Sequence, residues 1–204
     1  MAVQTTLVNK PLNPRGNDQS PLAYNRAKLF SGKALDFDGV NDNIAKQTIS
    51  VPSNNFSIAL WTSSDEFDLG ASCAVSIGKS GLGGGYDLVF YPYENSGTSG
   101  EHSRVYERTN GNIITQVKTT LNVPNLFVLQ CTSTHIELYQ NGILEAQYPR
   151  TLNITYDQIQ FGDLLDSGNQ NLNGSLCGTK LFNTALTAAQ VADLYNNPEK
   201  VVPT

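Results

Sequence analysis

The sequence predicts an all-β fold, an antiparallel sandwich or barrel, and three observations carry that prediction. From Ala34 onward, short runs rich in Val, Ile, Leu, Phe and Tyr are separated by clusters of Gly, Asn, Ser and Asp. Such runs, spaced by turn signals, are the pattern of antiparallel strands stacked into a closed core. Seventeen Gly and nine Pro, with plentiful Asn, Ser and Thr, supply many turns. Hydrophobic residues make up 39% of the 204 residues and charged residues 15%, which is enough apolar side chain for a core and too little charge for a disordered chain. The length suits one large domain, or one domain with an arm.

Residues 1–33 carry Pro11, Pro14 and Pro21 with little periodicity and read as an extended arm, with "LAYNRAKLF" (22–30) able to make a short helical turn. This arm holds Lys10, Arg15, Arg26, Lys28 and Lys33 against Asp18 alone, whereas the remainder holds eight basic and seventeen acidic residues. A basic arm on an acidic body reads either as a solvated polar arm or as one that packs on an acidic surface, its own or that of a neighbouring subunit, with Lys10, Arg15, Arg26 and Lys28 as the contacts.

The body, residues 34–195, follows in order. "ALDF" (34–37) alternates, placing Leu35 and Phe37 on the core side and Asp36 and Asp38 outside. Gly39, Asn41, Asp42 and Asn43 then make a turn, with Asx side chains bonding their own backbone. "FSIALWT" (56–62) is a mostly apolar strand that places Trp61 in packing rather than on a ligand. "CAVSIGK" (73–79) and "YDLVFYPY" (86–93) flank "SGLGGG", and "SRVYER" (103–108) and "IITQVKT" (113–119) flank "TNGN". "LFVLQCT" (126–132) leads into "HIELYQ" (135–140), followed by Asn141-Gly142 and "ILEAQY" (143–148). That Asn-Gly pair is the strongest hairpin signal, because a type I′ turn needs positive φ at both central residues. "QIQFGD" (158–163) and "GTKLFN" (178–183) read as the last strands. One helix is expected in "LTAAQVADLYNNP" (186–198), with Thr187 as N-cap, Gln190 completing a capping box, and Val191, Leu194 and Tyr195 forming one apolar stripe. Asn196-Asn197-Pro198 stops it, and 196–204 is a tail.

Five stretches in this order resemble the laminin-G-like, concanavalin A-like lectin-glucanase superfamily. They are "LDFDGVNDN", "FSIALW", "SIGKSGLGGGYDLVF", "IELYQNGIL" and "LNGSLCGTKLFNTALTAAQVADLY", together covering about residues 34–195. The resemblance implies two curved antiparallel sheets in a jelly-roll β-sandwich. It also implies a fold used widely to bind glycans, proteins or lipids, with some relatives acting as glucanases and some binding calcium. Fold alone does not choose among these roles.

The residues themselves argue against catalysis. The glucanase branch sets its acids on one strand as Glu-x-Asp-x-Glu, whereas this chain reads Glu66 to Gly70, "EFDLG", in a loop-like stretch with Glu66 and Asp68 only. Nucleophilic catalysis needs a histidine in reach, and only His102 and His135 exist, both expected at the surface. "GLGGG" lacks the Lys and Ser/Thr of a phosphate loop. For calcium the candidates are Asp38, Asn41 and Asp42, but many family members read Asn-Gly-x-Ile-Asp-Glu at the closing strand and this chain has Asn173-Gly174-Ser175-Leu176-Cys177-Gly178. Both acidic positions are lost, so no cofactor is expected.

The binding candidates are Tyr91 and Tyr93, two apart and therefore expected on one strand face, with Tyr106 on the next strand. Asp163 and Asp166 stand in a long polar loop, 163–174. The acidic body argues against nucleic acid. Three cysteines without metal spacing read as buried free thiols. No apolar run reaches the length of a membrane span, and the N-terminus has no signal-like apolar region. The protein is therefore expected to be made in the cytoplasm and, if it acts outside the cell, to leave by lysis or within a particle. The sequence thus favours a non-catalytic binding or adhesion module for a glycan or protein surface. The alternative is a virion structural protein, such as a phage decoration, fibre or tail component, docked through its N-terminal arm.

Overall fold

The structure, a computed structural model, describes residues 34–67, 72–81, 85–95, 101–166 and 170–198. Its strands form two six-stranded sheets. Sheet A runs β1 (Leu35–Asp38), β12 (Asn173–Phe182), β3 (Phe56–Ser63), β8 (Asn125–Cys131), β9 (His135–Gln140) and β10 (Ile143–Pro149) in spatial order. Sheet B runs β2 (Ile44–Pro52), β11 (Thr155–Phe161), β4 (Val75–Gly78), β5 (Leu88–Asn95), β6 (Glu101–Glu107) and β7 (Gly111–Val117). Every strand pair is antiparallel. This is the two-sheet sandwich, with one helix among the described residues, α1 (Ala188–Asn196). The arm, with Lys10, Arg15, Arg26 and Lys28, lies outside the described residues.

The core fills the space between the sheets. Sheet A contributes Phe56, Ile58 and Leu60 from β3 and Phe127, Leu129 and Cys131 from β8; sheet B contributes Val75, Ile77, Leu88, Phe90, Val105, Tyr156 and Ile159. The alternate residues of the same strands point outward yet are also buried. Ala59, Trp61, Leu126 and Val128 pack under Val191, Leu194 and Tyr195 of α1. On the other side, Val89 and Tyr91 pack with Cys73 and Leu164. A strand covered on both faces has no reason to alternate, which is why "FSIALW" and "LVFYPY" read as continuous apolar runs.

Local signals set the connections. Thr187 Oγ1 accepts from Gln190 N at 3.3 Å and Gln190 Oε1 accepts from Thr187 N at 3.0 Å, a complete capping box. Asn141 and Gly142 have φ of 53° and 88°, as the β9–β10 hairpin requires. Strand β2 is absent from the sequence reading. It is a sheet edge, mostly exposed, and its pairing with β11 is interrupted by two register shifts, so no clean alternation marks it.

One buried charge network ties the sheets together. Arg150, between β10 and β11, donates from Nε to Glu107 Oε1 at 2.8 Å and from Nη1 to the Ser53 carbonyl at 3.2 Å. Its Nη2 pairs with Asp87 and donates to the Tyr156 hydroxyl at 2.9 Å, while that hydroxyl donates to Asp87. Burial, and then the Asp87 carboxylate beside it, push the Tyr156 phenol well above its ordinary pKa, so it stays a donor.

Candidate functional site

The outer face of sheet B is built by strand parity. In β5, Leu88 and Phe90 enter the core, so Val89 and Tyr91 face out. The antiparallel register sets Tyr106 of β6 opposite Val89 and Arg104 opposite Tyr91. The Arg104 guanidinium lies 4.2 Å over the Tyr91 ring and forms an ion pair with Glu94. Tyr86, just before β5, has its ring 6.3 Å from that of Tyr106 at an interplanar angle of 54°. Arg108, just past β6, places its guanidinium 5.3 Å over Tyr86. The result is a row of tyrosine rings, Tyr91 buried and Tyr86 and Tyr106 half-buried, with two guanidinium groups across neighbouring strands.

The segment after β11 walls this face. Leu164 packs against Val89 and Tyr91. Asp163 Oδ1 accepts from Leu164 N at 2.7 Å and Gln170 N at 3.1 Å. The Ser76 hydroxyl donates to the Asp163 carbonyl at 3.1 Å and accepts from Leu165 N at 2.9 Å. Gln170 is thereby set against the face, where its Oε1 accepts from the Tyr91 hydroxyl at 2.6 Å. Burial pushes the Tyr91 phenol above its ordinary pKa, so it donates at any physiological pH. Burial also raises Glu94, opposed by Arg104 and His102.

The structure brings some of the sequence-predicted residues here and not others. Tyr91 and Tyr106 share the face. Tyr93 does not: a register shift between Tyr91 and Glu94 turns it inward. There it is buried, donating to the Thr62 carbonyl at 2.9 Å and accepting from Asn125 Nδ2 at 3.3 Å. Asp163 is buried with one carboxylate oxygen taken by two amides, so it shapes the wall rather than presenting a ligand group. Asp166 is exposed and pairs with Lys46 Nζ at 2.9 Å. The described parts of the expected polar loop 163–174 include the buried Leu164, Leu165 and Leu172.

His102 corrects another expectation. It lies within β6 opposite Glu94 and is buried, because the strand begins earlier than the apolar run suggested. His135 Nδ1 is 2.8 Å from the Thr134 hydroxyl. Glu66 is exposed, with Oε1 accepting from Asn173 Nδ2 at 2.5 Å, and Asp68 lies outside the described residues.

In the turn after β1, Asp38 Oδ1 accepts from the amides of Val40 at 2.8 Å and Asn41 at 3.3 Å, and Asp42 Oδ2 accepts from Asp38 N at 3.2 Å. Calcium takes six to eight oxygens. Among the described residues no three His, Cys, Asp or Glu side chains gather as metal ligands. Cys73, Cys131 and Cys177 are free and buried. No described helix is long and apolar enough to cross a membrane.

Tyr86, Arg104, Arg108 and Gln170 were missed. Two of the four had a sequence signal: in "SRVYER", Arg104 and Arg108 share with Tyr106 the positions that alternate with Val105 and Glu107, which marks them as one strand face. Gln170 had none, because its place depends on the fold of the wall.

Comparison with known proteins agrees with this architecture. Comparison with curated proteins finds no match. Among solved structures, a sialidase from Trypanosoma rangeli in complex with sialic acid superposes with TM-score 0.65 at 16% identity, over 83% of this chain and 28% of the sialidase. The chain thus spans little more than a quarter of that enzyme. A SAP-like pentraxin from Limulus polyphemus, a native heptamer, gives 0.61 at 12% identity over 79% of this chain and 81% of its own. Domain 4 of an extracellular arabinanase from Geobacillus stearothermophilus, in complex with arabinotriose, gives 0.57 at 15% identity over 80% and 77%. At such identities the likeness is one of fold. The family model described as the Concanavalin A-like lectin/glucanases superfamily, of laminin G type, matches residues 38–192, and the chain belongs to that family.

Proposed function

We propose that this chain is a non-catalytic binding module that holds a saccharide on the outer face of sheet B. The observation that carries this reading is the pair of half-buried rings, Tyr86 and Tyr106, beside Arg104, Arg108 and the Gln170 wall. Sugar C–H faces stack on aromatic rings, and sugar hydroxyls need fixed polar groups nearby. A fold neighbour supports it: domain 4 of the arabinanase was solved in complex with arabinotriose. The engaged Glu66 and the buried His102 support the absence of catalysis. A glycan array followed by calorimetric titration tests the reading. Tyr86→Ala and Tyr106→Ala should each weaken binding about fivefold or more, the cost of losing an aromatic anchor, with the melting midpoint unchanged. An array without a binder would end it.

A second reading, assembly into a larger particle such as a virion through residues 1–33, rests on the concentration of five basic residues there. Sedimentation of the full chain beside one lacking residues 1–33 tests it. Self-assembly lost on truncation would favour it, and identical monomers would remove arm-driven self-association.

A further inference from the structure

Building on the saccharide reading, we infer that the ligand is an acidic saccharide whose carboxylate is taken by Arg108. The two guanidinium groups of the face are not equivalent. Arg104 is neutralised by Glu94 beside it. Arg108 is exposed, and the ion pairs among the described residues are Lys46 with Asp166, Arg104 with Glu94, and Arg150 with Asp87 and Glu107. Arg108 is in none of them. Its position is nonetheless held: its backbone N–H donates to the Asp87 carbonyl at 2.9 Å, and its guanidinium rests over Tyr86.

A guanidinium held on a ring keeps its edge donors for another partner. Those donors form a planar fork that matches the two oxygens of a carboxylate. A sulfate, with three oxygens in a tetrahedron, calls for donors from more than one direction. Asp163, the acid of the wall, is buried and already accepts two amide hydrogens, and Asp87 and Glu107 are buried on Arg150. The rest of the body is rich in acidic residues, so long-range attraction does not bring an anion here. Selection for acidic over neutral sugars must come from this contact, with Tyr106 left to stack on the sugar ring.

The test is an array pairing carboxylated glycans, uronate-containing and sialylated, with their neutral cores, then titration of the full chain with the best pair. Arg108→Ala, Arg108→Lys and Tyr106→Ala are read beside the unaltered protein, with melting midpoints as the folding control. The expected result is preference for the carboxylated member and a loss of about tenfold or more in Arg108→Ala. Arg108→Lys should be intermediate, since it keeps the charge without the fork, and added salt should weaken binding. If neutral cores bind as well, or if only Tyr106→Ala weakens binding, the acidic ligand is refuted and the saccharide reading stands. If no glycan binds, both fall. Equal competition by a hexaglutamate peptide would also overturn the inference, since charge alone would then be the signal.

Discussion

Asp38 shows how a carboxylate in a suggestive sequence can belong entirely to a turn. The amides of Val40 and then Asn41 donate to it and hold its pKa below the ordinary aspartate value, although it is fully exposed. Because the folded-state pKa is depressed, the contribution to stability is complete above the unfolded value and is lost as pH falls through the folded one. Titration followed by NMR at the carboxyl carbon should place Asp38 below a free aspartate, and a midpoint at or above the ordinary value would contradict the turn geometry. The turn was legible beforehand because Asx turns are local, but the sequence signal lies at Asn41, Asp42 and Asn43, with Asp38 expected only to face outward. The role of Asp163 was not, since one of the two amides it accepts, that of Gln170, lies seven residues on and is placed by tertiary contacts. Tyr93 was misread for a related reason: spacing of two implies one face only where the ladder has no bulge.

At the level of elements, coverage of both faces explains the strands that do not alternate. Trp61 of β3 is buried on the outer side of sheet A and stacks on Tyr195 of α1, with centroids 5.8 Å apart and planes at 19°. Trp61→Ala should cost about 3–5 kcal/mol in chemical denaturation, the usual range for deleting a buried large aromatic. A loss under about 1 kcal/mol would mean that α1 does not cap the sheet as described. The helix itself was readable from its cap and stripe, because both are set within a few residues. The strand β2 was not readable, since an exposed edge with bulges carries little periodicity.

For the molecule as a whole, the two sheets are joined at one end by Arg150, Asp87, Glu107 and Tyr156, drawn from four separate segments. Among the described residues these two buried carboxylates have no charged partner but the one guanidinium, so removing the cation is costly. Arg150→Ala should destabilise by about 3–5 kcal/mol, as for other buried ion pairs broken on one side. Replacing Arg150, Asp87 and Glu107 together by apolar residues should recover a large part of that loss. Full stability in Arg150→Ala would show the network to be solvated.

The sequence by itself determined the fold class, the order of most strands, the Asn141-Gly142 hairpin and the capped helix, because these follow from side-chain period and local backbone chemistry. It also placed Tyr91 and Tyr106 near one another. Only the tertiary structure decided which tyrosines share a face, that His102 is buried, that Asp163 shapes a wall, and that among the described residues Arg104 has an ion pair and Arg108 has none. Those outcomes depend on strand register, on a bulge, and on contacts between segments far apart in the chain, none of which leaves a periodic trace in the residues themselves.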